Sequence, residues 1–154
     1  MAIATKDKFF VILQFLVFLV WIIRVDIWHF NLSENLEGLA LISAGLGLLL
    51  ILIALLQLKT NLSPFPSPKK GAKLLTSGVF AFARHPIYSG VLFMAFGLSV
   101  WLNSGYKLLV SILLWLVFYL KSRYEEELLL KRFPEYLLYK KQTGRFFPKF
   151  KWRI

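Results

Sequence analysis

Arg84-His85-Pro86-Ile87-Tyr88-Ser89-Gly90 places a guanidinium, an imidazole and a phenol around one proline. Proline suits the first position of a helix, where its missing N–H costs nothing. His85 and Tyr88, three residues apart, then share a face of that turn. A helix start also presents free N–H groups that attract an anion. Further along stand Glu125-Glu126-Glu127, flanked by Lys121, Arg123 and Lys131. Carboxylates of this kind bind a cation or serve as a general base. Each group also has a plainer reading. The first is an ordinary helix start with an interfacial histidine and tyrosine. The second is a solvated helical face, with Lys121–Glu125 and Arg123–Glu127 at ion-pair spacing. Tyr136, Tyr139 and Arg145 would equally serve as interface anchors. The chain has no cysteine, which removes disulfides, thiolate nucleophiles and thiolate-held zinc or iron–sulfur clusters. No cluster of metal ligands stands out.

These residues have to be positioned by elements that are mostly apolar. Hydrophobic residues make up 58% of the 154, against roughly 45–50% in soluble domains, and they gather in long runs. A spanning helix needs about 20 such residues. The pattern predicts an all-α, polytopic membrane protein of one domain, with about four transmembrane helices near 9–30, 36–58, 87–102 and 107–121. The first run is too long for a cleaved signal peptide and lacks a small-residue cleavage site. Ser43-Ala44-Gly45-Leu46-Gly47 lies inside the second run, where small residues favour close helix packing over nucleotide binding. Asn103-Ser104-Gly105 predicts a tight turn, so the last two spans form a helical hairpin. Between the second and third spans, residues 59–86 form a polar loop in which Pro64, Pro66 and Pro68 exclude a helix. Beyond Lys121 the last helix is expected to leave the membrane, to break at Pro134, and to be followed by a short cytosolic C-terminal helix carrying Tyr136 and Tyr139.

The net charge of +11 invites a nucleic-acid reading, but its distribution argues for membrane orientation instead. Lys59, Lys69, Lys70, Lys73 and Arg84 lie in the long loop, and ten further cations lie from Lys121 onward. The loop at 31–35 has none. Four spans with both termini cytosolic put nearly every cation on one face, as the positive-inside rule requires. The long loop and the tail, 121–148, then share a side and can build one site.

Taken in order, the constellation runs Gly78, Arg-His-Pro-x-Tyr-x-Gly, a helical hairpin, Arg123-x-Glu-Glu, Phe133, Tyr136-x2-Tyr139, Arg145-x2-Pro148. Over about residues 64–148 it resembles the isoprenylcysteine carboxyl methyltransferase family and its relatives, the phospholipid methyltransferases. The resemblance implies an enzyme that uses S-adenosyl-L-methionine and a cofactor pocket on the cytosolic side. It implies that Ala72, Lys73, Leu74 and Leu75 hold one end of the cofactor. Phe80 packs on it, His85, Pro86, Ile87 and Tyr88 contact it, and Tyr136 completes the pocket. Glu125 or Glu126 binds the cofactor's charged amino-acid part, or acts as a base toward an amine acceptor. Arg123 lies nearest the acceptor, with Lys121 as its rival. The implied acceptor is a lipidic or prenylated small molecule carrying a carboxylate or an amine, met at the membrane surface among membrane lipids. The extra helices of the eukaryotic prenylcysteine enzymes are missing, which counts against a prenylated protein and fits a bacterial cytoplasmic membrane.

Two other readings stay open on these residues. A membrane reductase of the sterol reductase kind would use NADPH; its longer helical core is missing here. A non-enzymatic membrane scaffold would tolerate replacement of His85, Tyr88 and the glutamates. A transporter fits less well, because the spans hold little charge beyond Arg24 and Asp26.

Overall fold

A computed structural model describes residues 4–59, 63–69 and 71–149. Among these residues six helices follow in order: α1 (Thr5–Ile22), α2 (Glu34–Leu58), α3 (Val79–Phe82), α4 (Pro86–Trp101), α5 (Gly105–Arg132) and α6 (Tyr136–Gln142). Among the described residues there is no strand, only isolated bridges pairing His29 with Ser104 and Ala83 with Gly144. Lys70, named above, lies outside the described residues, as do residues 60–62 of the polar loop.

Among the described residues two helices, α2 and α5, are long and apolar enough to cross a membrane. At 1.5 Å per residue α2 is about 37 Å long, against a hydrocarbon core of about 30 Å. Its apolar side chains face outward: Leu39, Leu46 and Leu56 are each more than 60% exposed. Such a surface suits lipid and not water. The apolar helix α4 is shorter, and α1 carries Lys6, Asp7 and Lys8 in its first turn.

α2 and α4 make the most extensive helix contact in the molecule. It depends on missing side chains. A Cβ on Gly47 would stand 2.5 Å from the Gly90 carbonyl oxygen, and a Cβ on Gly97 would stand 2.5 Å from that of Ala40. Ala44 and Ala54 are buried along the same seam. Small residues let the two backbones approach, as membrane helices require when lipid offers no hydrophobic drive.

The expected first span to Phe30 is corrected. α1 ends at Ile22, and the chain beyond turns back onto the hairpin. The Phe30 N–H donates to the Asn103 carbonyl at 3.2 Å, and the Gly105 N–H to that of Trp28 at 2.9 Å. The Trp28 ring lies where a Cβ on Gly105 would stand. This turn offers backbone partners that a helical continuation through Arg24 and Asp26 would forgo. The hairpin is as tight as the sequence predicts, with Ser104 capping α5 by accepting from the Lys107 N–H at 3.3 Å. α5 continues past Lys121 to Arg132 and stops before Pro134.

α1 packs along α5 through polar anchors. Trp21 Nε1 donates to Ser111 Oγ at 3.0 Å, and Lys107 Nζ to the Trp21 carbonyl at 2.6 Å. Nearer the polar end, Lys121 Nζ donates to Gln14 Oε1 at 2.7 Å. The buried core between α1, α4 and α5 is built from Val17, Leu92, Ala95, Leu114, Val117 and Phe118.

Candidate functional site

Residues of the polar loop, the start of α4 and the polar half of α5 enclose a cavity of about 380 Å³. That lies within the span of roughly 300–1,000 Å³ usual for small-molecule sites. Ala72, Lys73, Leu74, Leu75, Phe80, His85, Pro86, Ile87, Tyr88, Glu125 and Tyr136 all line it. Loop residues 63–69 form a wall without helix, as the three prolines require. A feature the sequence did not announce is α3, a single turn that delivers Phe80. It starts at Gly78, where φ is +62° and the Gln57 side chain occupies the place of a Cβ. Gln57 Oε1 accepts from the Val79 N–H at 3.1 Å.

α5 contributes one stripe. Lys121, Glu125 and Leu129 are spaced by four and all face the cavity. Tyr88 donates its hydroxyl to Glu125 Oε2 at 3.0 Å, and His85 Nδ1 lies 3.7 Å from the same oxygen. The His85 and Tyr88 rings are stacked at 5.4 Å, and Tyr88 stacks in turn on Phe118 at 4.6 Å. The shared helical face predicted for His85 and Tyr88 is thus a rigid aromatic wall.

Two predicted residues are placed elsewhere. Glu126 is 1% exposed and turned away from the cavity. One residue step along a helix is about 100°, so Glu126 faces the tail while Glu125 faces the cavity. Its carboxylate accepts from Arg84 Nη2 at 2.7 Å, Arg145 Nε at 3.1 Å and His85 Nε2 at 3.3 Å, with Lys140 Nζ at 3.1 Å. An ionised carboxylate only accepts, so His85 carries its hydrogen on Nε2. Arg123 is exposed and does not line the cavity. It stands two residues from Lys121, about 200° around the helix, so the geometry gives the inward position to Lys121. Neither Lys121–Glu125 nor Arg123–Glu127 forms an ion pair among the described residues.

The tail holds the start of α4 in place. The Arg84 N–H donates to the Gly144 carbonyl at 2.9 Å and the His85 N–H to that of Arg145 at 3.0 Å. Ser89 Oγ donates to the Phe146 carbonyl at 2.7 Å. Tyr139 donates to the Phe80 carbonyl at 2.5 Å, fixing α3 against α6. Burial raises the Tyr139 phenol to about 12, with Arg84 opposing the shift and Glu126 adding to it. Burial likewise pushes the Tyr136 phenol far up. Both hydroxyls therefore stay protonated donors at neutral pH. The Tyr136 hydroxyl is buried and makes no hydrogen bond of normal geometry among the described residues, although the Arg84 guanidinium lies near enough to oppose the shift.

Gln14 and Arg84 enter the site without having been assigned a part in it. A lone glutamine in an apolar run was a usable signal, because polar groups in such helices turn to the protein interior. Arg84 was visible only as a letter in a motif. Its role depends on the fold, which brings Glu126 and the tail carbonyls of Lys140 and Thr143 to its guanidinium.

The family model of the phospholipid methyltransferases matches residues 34–136. The chain belongs to that family. The match runs from the start of α2 to the first residue of α6, so it contains the α2–α4 seam, both glutamates and the cavity's loop. It leaves out α1 with Gln14 and the tail with Arg145. No curated protein matches the chain. Members of the phospholipid methyltransferase family are membrane methyltransferases acting on lipids, and the two long apolar helices accord with membrane association.

Proposed function

We propose that this protein transfers a methyl group from S-adenosyl-L-methionine to a lipid acceptor at the membrane face onto which the cavity opens. The supporting observation is the cavity itself, which joins the Glu125 carboxylate to an aromatic wall. Glu125 suits an ammonium group. Phe80 also lines the cavity, and aromatic rings attract a cation. This lining fits a molecule with a sulfonium and an ammonium.

When bound, the cofactor supplies a methyl group on a sulfonium, already an activated electrophile. What remains for the chain is to align an acceptor and exclude water. Pro64, Phe65 and Pro66 line the cavity from the loop, and His85 and Tyr88 line it from the start of α4, with Tyr88 backed by Phe118. A carboxylate acceptor needs only a cation to orient it. An amine acceptor needs a base, and Glu125 is the cavity carboxylate able to take that proton. Four spans, with this polar end and both termini cytosolic, complete the proposed arrangement.

The test is calorimetric titration of S-adenosylhomocysteine into the detergent-purified protein. Micromolar binding, reduced at least tenfold by His85→Ala, is expected. A folded protein that binds none would overturn the reading.

A further inference from the structure

Lys121 is 2% exposed and lines the cavity. Its ammonium has three N–H donors. One donates to Gln14 Oε1 at 2.7 Å and one to the Pro64 carbonyl at 3.0 Å. The ammonium also stands over the Tyr88 ring, 5.3 Å from its centre. All three neighbours are neutral. Lys121 forms no ion pair among the described residues; Glu125 and Asp7 act on it only from further off. Glu125 is engaged by Tyr88. A buried charge is costly without a counter-charge and a full set of hydrogen bonds. Here one N–H is left over, and the adjoining space is the cavity.

We infer that Lys121 is the anion-binding residue of this cavity, and that a carboxylate or phosphate oxygen of the bound molecule completes its shell. Gln14 and Pro64 act as its positioning residues: they hold the ammonium from α1 and from the loop, on either side of α5. Arg84, the other strongly buried cation lining the cavity, is committed to Glu126 and to tail carbonyls; Lys69 and Lys73 also line it but are exposed, so Lys121 is the one whose burial calls for an anion. The anionic oxygen has two possible sources, the cofactor's own carboxylate or the headgroup of a lipid acceptor. The first source rests on the methyltransferase reading above; the second requires only that the cavity admit a lipid headgroup.

Two ligand pairs distinguish the sources, each titrated into the full chain in maltoside micelles. The first pair is S-adenosylhomocysteine and its decarboxylated analogue. The second is hexadecyl phosphate and hexadecanol. In the wild type the member of one pair that carries the carboxylate or phosphate should bind at least ten times more tightly than the member that lacks it. That ratio should fall toward one in Lys121→Gln and be largely kept in Lys121→Arg. Collapse in the first pair assigns the cofactor's carboxylate; collapse in the second assigns the acceptor's headgroup. If Lys121→Gln does not fold, Lys121→Met fills the same space without a charge and takes its place. Equal ratios in wild type and neutral variant for both pairs would overturn the inference and leave Lys121 as an anchor for α1. So would a wild type that prefers neither anion, whatever the variants do. Failure of the methyltransferase reading shows separately, as a folded wild type that binds no S-adenosylhomocysteine while the phosphate pair still reports on Lys121.

Discussion

Glu125 turns its carboxylate to the cavity, where Tyr88 and His85 meet it; Glu126, one residue on, turns its own to Arg84, Arg145 and Lys140. The first carboxylate is a quarter exposed and keeps a face open to a ligand, whereas the second is 1% exposed and spends both oxygens within the protein. One arrangement leaves binding capacity unused. The other ties the start of α4, α5 and the tail into a single block. A motif of adjacent glutamates therefore combines a group that meets the ligand with a group that holds the wall it meets, and a helical step of about 100° is enough to separate them.

Removing Glu126 should have the largest effect. Glu126→Ala removes the carboxylate partner of the buried Arg84 guanidinium, a change that typically costs about 3–5 kcal/mol. For a chain of this size that corresponds to an apparent melting temperature roughly 6–20 °C lower in detergent. Glu125→Gln should move the melting temperature by only a few degrees. It should instead weaken S-adenosylhomocysteine binding by roughly 10–100-fold, the range for a lost hydrogen bond to a charged group. Calorimetry and a thermal scan on the same two proteins check both statements. The contrast between the glutamates breaks if Glu126→Ala melts like the wild type, or if Glu125→Gln binds like it.

Arg145 sharpens the contrast, because it lies outside the segment matched by the family. It presents Nε and Nη2 to the two oxygens of Glu126 at 3.1 Å each, and its guanidinium lies over the Tyr119 ring at 4.9 Å. A lysine keeps the charge but loses the fork and the stacking. Arg145→Lys should therefore destabilise by about 1 kcal/mol and Arg145→Ala by more, with affinity for S-adenosylhomocysteine falling as the backbone behind His85 loosens. Hydrogen exchange at the Arg84 and His85 amides, which the tail carbonyls protect, would show that loosening directly. Unchanged protection in Arg145→Ala would mean that the tail holds α4 without the clasp.

Helix type and the hairpin were legible because apolar runs, Pro86, Asn103-Ser104-Gly105 and Pro134 are local signals. The residues around the cavity were legible because order along the chain carries the family pattern. What stayed hidden was rotation and distance. Sequence places Lys121, Arg123, Glu125 and Glu126 in one run, but only packing decides which of them faces inward, and that depends on α1 supplying Gln14 and the tail supplying Arg145. The end of α1 was missed for a similar reason. Trp28, His29 and Phe30 pair with a turn more than 70 positions away, and nothing local announces such a partner. The α2–α4 seam lies between these cases. Gly47 showed that two helices could approach closely there, but Gly90 as its counterpart emerged only in the structure.

The smallest expected effect belongs to Arg123, and it isolates the geometric argument from the motif. By position in the chain, Arg123 is the cation that precedes the glutamate pair, and a reading by order alone gives it the acceptor. By rotation it points outward, and Lys121 holds the inward place. An exposed helical arginine without a buried partner usually contributes within about 0.5 kcal/mol. Arg123→Ala should therefore leave both the melting temperature and S-adenosylhomocysteine affinity within error of the wild type, while Lys121→Gln alters ligand preference. If instead Arg123→Ala abolishes methyl transfer in a folded protein with cofactor affinity intact, α5 must rotate or unwind near Ser122 when the acceptor arrives. The division between cavity face and clasp face would then describe only one of two states.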